Sequence, residues 1–154
     1  MTDWGSLKEF LTIGAAVLGA GLGIMNTWQA MSQRWLRLRI RPCHAIAVPH
    51  GDDGFSIEII NLSTFSVTIN EVGFTDDSQS IKCTGRFAIT APMLIDGKPW
   101  PRRLNSREAV SVFFTPPSYL RGRKIGKAYA RTACGDVRYG DSPALQQLRE
   151  ALVA

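Results

Sequence analysis

Residues 57–74 read IEIINLSTFSVTINEVGF. Apolar side chains fall at every second position on both sides of a polar break: Phe55, Ile57 and Ile59 before Asn61–Thr64, and Phe65, Val67 and Ile69 after it. Successive side chains of a strand point to opposite faces, so this alternation predicts two strands, each with one buried face, joined by a turn that begins at Asn61. Val72 to Phe74 extends the second of them.

The same period continues outward. Upstream, Gly51-Asp-Asp-Gly54 is a turn, and the run Trp35 to Arg41 alternates apolar with basic residues. Leu36, Leu38 and Ile40 are expected inward, and Arg37, Arg39 and Arg41 outward. Downstream, Ile81 to Thr90 supplies another strand with a bend at Gly85. The stretch 91–107, holding Pro92, Gly97, Pro99 and Pro101, reads as a loop between sheets. Ala109 to Thr115 is a strand stopped by Pro116 and Pro117. Ala128 to Cys134 and Val137 to Tyr139 flank a Gly135-Asp136 turn. Short strands separated by turns indicate an antiparallel β-sandwich of six to eight strands rather than a βαβ fold, with Leu38, Ile57, Ile59, Val67, Ile69, Val110, Val112 and Phe114 facing in. A short helix closes the chain: Ser142 is its cap, Pro143 its first residue, and Leu145, Leu148 and Leu152 share one side.

The run from Ile57 to Phe74 resembles the strand–Asn–turn–strand signature of immunoglobulin-like sandwich domains in uncharacterised bacterial and phage proteins, in which a membrane helix also precedes the strands. The resemblance spans two thirds of the chain. It implies a fold and an anchor, and carries over no activity and no functional residue. The disulfide and tryptophan landmarks of antibody domains are absent.

Ahead of the strands the composition changes, and the mean hydropathy of −0.03 averages two unlike parts. Phe10 to Met31 contains 22 residues without a charge, about 33 Å as helix against a hydrocarbon core of about 30 Å. Trp4 stands before this run and Trp28 and Trp35 near its far end, as interfacial indoles do. A cleaved signal would want a basic start, and Asp3 and Glu9 make this one slightly acidic. A buried core helix would carry a polar stripe that Ile13 to Met25 lacks. One basic residue precedes the run and four, Arg34, Arg37, Arg39 and Arg41, follow within ten positions. The C-terminal side is therefore expected in the cytoplasm and the span in the inner membrane. The expected organisation is an anchor over 1–34, a β domain over 35–140 and a terminal helix over 141–154. Ala15, Gly19 and Gly23, spaced by four, form a small-residue pattern suited to helix self-association.

Cys43, Cys83 and Cys134 form no CxxC pair, and their odd number fits a reducing compartment. They are expected as small buried apolar residues, the alternative being a Cys83–Cys134 bridge. Cys43-His44 and His50 do not have zinc spacing, and no nucleophile elbow, metalloprotease, Walker A or dinucleotide motif occurs. No enzyme, cofactor or metal is expected.

Charge is the remaining signal. Residues 42–80 hold six acids and no Lys or Arg, whereas from 81 onward thirteen basic residues face five acids. Among the later ones, Arg121, Arg123, Lys124 and Lys127 lie in a run with two glycines that can gather around an anionic group. Stacking aromatics are sparse, with Tyr119, Tyr129 and Tyr139 the candidates, so single-stranded nucleic acid is not favoured. Two functions fit: a non-catalytic membrane-tethered interaction module of accessory, defence or exclusion type, or a membrane effector whose β domain senses an anionic molecule and whose helices assemble in response. The expected partners are membrane lipid, a second copy through the span, and a protein or anionic ligand.

Overall fold

A computed structural model describes residues 4–47, 52–77, 85–116 and 120–153. The chain divides after Trp35 into two compact units. The first is the helix α1, Trp4–Ser32. Its part from Lys8 to Ser32 is long and apolar enough to cross a membrane. Side chains from Lys8 to Met31 are exposed all round. Two of its hydroxyls bond inward: Thr12 Oγ1 donates to Lys8 O and Thr27 Oγ1 to Gly23 O, each at 2.8 Å. The helix tightens at its end through Arg34 N to Met31 O and Trp35 N to Ser32 O.

The second unit is mainly β. Its strands are β1 (Leu38–Ala47), β2 (Asp52–Asn61), β3 (Val67–Asp76), β4 (Arg86–Ala88), β5 (Arg102–Leu104), β6 (Ala109–Phe114), β7 (Ile125–Thr132) and β8 (Val137–Gly140), followed by helix α2 (Pro143–Val153). They form two antiparallel sheets, β1-β2-β6 and β4-β3-β7-β8, with β5 also pairing β3. The inner faces share one core: Ile57, Ile59, Val110 and Val112 from one sheet, Ile69, Val72, Phe74, Ala128 and Ala130 from the other. Phe55, Phe74 and Phe114 meet between the sheets, with ring centroids 5.6–6.2 Å apart in edge or tilted geometry. Leu38 is half-buried against the same core. A register shift between Ile69 and Glu71 lets Ile69 and Val72 both face in, so β3 is one continuous strand.

Several boundaries differ from the sequence reading. β3 begins at Val67 rather than Phe65, which stands exposed in the turn, and β7 begins at Ile125 rather than Ala128. The first strand starts at Leu38 rather than Trp35 and runs through the buried Pro42 to Ala47, because an edge strand need not donate at every residue. The stretch 91–107 contains β5 and a bridge from Met93 to Phe113, short pairings that the surrounding prolines obscure. Of the strand expected over 81–90, Arg86–Ala88 is strand, and 81–84 lie outside the described residues. α2 follows the expected pattern: Ser142 Oγ accepts from Leu145 N at 3.1 Å and donates to Pro42 O at 2.7 Å, and Leu145, Leu148 and Leu152 are buried.

One end of the domain, here proximal, carries Leu38, Asn61, Val67, Ala109 and Thr132; the other, distal, carries Ala47, Asp76, Phe114 and Ile125. Asn61 is fully buried at the proximal end. Its Nδ2 donates to Phe65 O at 2.7 Å, Asn105 O at 3.1 Å and Leu104 O at 3.2 Å, and its Oδ1 accepts from Ser63 N at 3.0 Å. Asn61→Ala is expected to cost about 2–4 kcal/mol by leaving several of these groups dry and unpaired. Ser66→Ala removes an exposed bond to Asn105 Oδ1 and is expected to cost less than about 0.5 kcal/mol. Urea unfolding of the full chain in detergent checks the contrast.

Candidate functional site

The basic residues singled out in the sequence separate into two groups at opposite ends of the domain. Arg37 sits where the chain enters β1: its N donates to Ser63 Oγ at 2.8 Å and its carbonyl accepts from Leu62 N at 2.8 Å. Arg39 and Arg41 follow on β1, and all three side chains are exposed on alternate positions, as the period predicts. Arg41 approaches Glu58 on the neighbouring strand at 3.9 Å, a mostly exposed pair of little energetic weight. Arg34 belongs to the last turn of the N-terminal unit.

Arg121, Arg123 and Lys124 occupy one turn at the distal end, and Lys127 lies at the start of β7. The turn is fixed from both sides. Gly122, at φ 74°, donates its N–H to Leu152 O at the C-terminus of α2, and Lys124 O accepts from Asp77 N, each at 2.8 Å. All four side chains are exposed and make no ion pair among the described residues. Cationic groups beside the last turn of a helix also favour its dipole, so part of this cluster is accounted for by α2 itself.

Other members of the basic half are committed to structure. Arg102 is buried and grips Asp96 at 2.9 Å and Glu108 at 3.1 Å. Glu108 also receives Asn105 N at 2.8 Å, and Asp96 receives Lys98 N at 3.2 Å, so one guanidinium ties two loops to the sheet. The Asn105 hydrogen bond holds the Glu108 carboxyl below the usual range against the opposing effect of burial, and Arg102 and Lys98 lower it further. Asp96 and Glu108 are the two acids between Asp77 and Asp136. Their isolation in a basic stretch was the signal that this arginine is internal. Arg131 pairs with Glu71 at 3.6 Å. Tyr129, buried beneath Arg86, donates its hydroxyl to Glu71; burial first, then this carboxylate, push its phenol above the ordinary range. Arg138 bonds to the carbonyls of Val137 and Leu36.

The cysteines depart from expectation. Cys43 is half-buried on β1, where the strand period places it on the same face as Arg39 and Arg41, and Cys134 is exposed in the β7–β8 turn. Cys83, His50 and Tyr119 lie outside the described residues. His44 packs edge-on against Phe55 at 5.4 Å and meets Gln147 Oε1 at 3.1 Å, helping seat α2. No group of three or more His, Cys, Asp or Glu is arranged for a metal among the described residues. An apolar cleft of about 460 Å³ opens at the distal end between β4 and β6, lined by residues including Phe74, Phe87, Met93, Phe114 and Leu120. On α1, Ala15, Gly19 and Gly23 lie exposed, with open space at both glycines. Gly23 borders a shallow groove with Ala20, Ile24, Thr27, Trp28 and Met31.

No protein-family model matches this chain, and a search of curated proteins finds no match.

The Arg102 cluster generates a pH dependence. A carboxyl lowered by folding adds stability above its unfolded pKa of about 4.3, and that stability is lost as pH falls through the lower folded value. Stability of the wild type is therefore expected to fall on acidification from about pH 5 to below 4. Glu108→Gln, already less stable at neutral pH, is expected to show a flatter profile across that window in pH-resolved thermal unfolding.

Proposed function

We propose that this chain is a non-catalytic membrane-tethered interaction module of bacterial or phage accessory, defence or exclusion type. α1 crosses the inner membrane once, and an immunoglobulin-like β domain lies in the cytoplasm. The carrying observation is α1 itself, a helix whose apolar side chains are exposed all round. In a bilayer that surface is covered and the helix satisfies its own backbone groups. The basic residues from Arg34 to Arg41 favour the cytoplasmic side for the domain.

The strand order supports the immunoglobulin-like reading. Taken in chain order, β1-β2-β6 corresponds to strands A, B and E, and β3-β7-β8 to C, F and G, while β4 and β5 flank β3. Polar burial supports a non-catalytic role, since Asn61, Arg102 and Tyr129 are engaged in holding loops and strands. Ala15, Gly19 and Gly23 offer a close-packing face for a second copy.

A second reading, sensing of an anionic molecule, draws on the exposed distal side chains of Arg121, Arg123, Lys124 and Lys127. Changing these four to Ser is expected to abolish low-salt binding of ATP by the detergent-solubilised chain without altering its fold, since exposed charges contribute little stability. Equal binding by both proteins removes this reading.

For the principal reading, alkaline carbonate is expected to leave the full-length protein in the membrane fraction. A reporter fused after Ala154 is expected to work in the cytoplasm. Release by carbonate overturns the span, and periplasmic alkaline phosphatase activity of a C-terminal fusion reverses the orientation.

A further inference from the structure

We propose that the proximal end of the β domain is a contact face for anionic phospholipid headgroups, built by Arg37, Phe65, Arg103 and Arg107. The inference rests on the reading of α1 as a membrane span and joins to Arg37 residues from two distant stretches of the chain.

Covalent continuity sets the location. The last turn of the N-terminal unit closes on Trp35, and the carbonyl of the next residue, Leu36, already accepts from Arg138 Nη2 at 3.5 Å. Leu36 follows Trp35 directly in the chain, and consecutive Cα atoms lie about 3.8 Å apart. Whatever depth the helix exits at, the end of the domain that receives Leu36 and Arg37 stays within a few residues' reach of it.

That end is rigid. Ser63 Oγ accepts from Arg37 N at 2.8 Å, Ser63 O accepts from Ser106 Oγ at 2.7 Å, and Asn61 O accepts from Arg107 N at 2.8 Å. The chain start, the β2–β3 turn and the β5–β6 turn are thereby bonded into one piece. Its exposed side chains include one aromatic ring and three cations. Phe65 stands 39% exposed at the turn, and Arg37, Arg103 and Arg107 are exposed and make no ion pair among the described residues. Glu108, in the same turn, is committed to Arg102 and Asn105, and Asp96 to Arg102 and Lys98 N, while Asp136 stands on the neighbouring β7–β8 turn as an opposing acid. An exposed aromatic ring and cations on one end of the domain match the boundary between acyl chains and anionic headgroups.

Arg107 supplies an independent sign. Its φ is 66°, a left-handed conformation that glycine or asparagine adopts at least cost. A long cationic side chain held there at the expense of backbone strain points to use of the side chain. The distal cations are a separate matter: β7 is 8 residues long, about 26 Å, several times the Debye length of about 8 Å.

The test places a nitroxide at Phe65→Cys, with Arg121→Cys as the distal control, in full-length protein whose native cysteines are changed to Ser. The protein is inserted in nanodiscs of phosphatidylcholine with or without phosphatidylserine. With phosphatidylserine, the label at 65 is expected to collide several-fold more with oxygen than with a nickel chelate, and the label at 121 to remain aqueous. Adding Arg103→Gln and Arg107→Gly is expected to weaken the contact roughly fivefold per charge removed. Arg107→Gly alone is expected to weaken contact while raising the thermal midpoint, which separates lost recognition from lost folding. An aqueous label at 65 in inserted protein, or equal contact without phosphatidylserine, overturns the proposal. Failure to insert, scored by carbonate extraction, overturns the span and this face with it.

Discussion

The Asn61 carboxamide, sealed from water at one end of the β domain, bonds to three backbone carbonyls and one backbone amide. In such a low-dielectric site each bond is stronger than in water and each vacancy costs more, so the arrangement has one satisfied solution. From it follow the path of the β2–β3 turn, the seat of the β5–β6 turn and the pinning of Arg107. Ser63 extends the lock to Arg37, the first residues of the domain. Arg102 repeats the device one layer away, with charge in place of an amide. The distal end is held differently, by three phenylalanine rings between the sheets and by α2.

The two units meet water on different terms. In the β domain the free edge of β1 is blocked: Arg138 bonds to Leu36 O, Ser142 to Pro42 O, and a Cβ at Gly140 would overlap the Ile40 carbonyl. Such covering denies another strand a template. In α1 nothing in the described chain covers the exposed Phe10, Leu11, Ile13, Val17, Leu18 and Leu22. Each such side chain gains about 1.5–3 kcal/mol on full burial, so the helix calls for an apolar solvent or a partner.

How much was legible depends on whether a signal is local. Period-2 alternation identified β2 and β3 and their inner faces, except at Phe65, where the period runs on into the exposed turn, and a charge-free run identified α1, because backbone geometry imposes both patterns directly. Ser142-Pro143 marked α2 for the same reason. β5 was missed because three residues between prolines carry no period, and Pro42 concealed the second half of β1 because its tolerance there depends on being at an edge. Charge was legible as a count and not as a pairing. Arg102 and Arg103 are neighbours in sequence, yet one is buried between two carboxylates and the other is exposed. The proximal group was illegible for a related reason, since hydrogen bonds from Asn61 and Ser63 join residues some forty positions apart.

Hydrogen exchange of the full-length protein in nanodiscs tests the central claim, an apolar span and a β domain whose proximal turns are locked by buried hydrogen bonds. The account predicts that amides from Phe10 to Met31 stay protected for hours and that Ser63 and Arg107 exchange among the slowest amides of any turn. Exchange across 10–31 within seconds would contradict it.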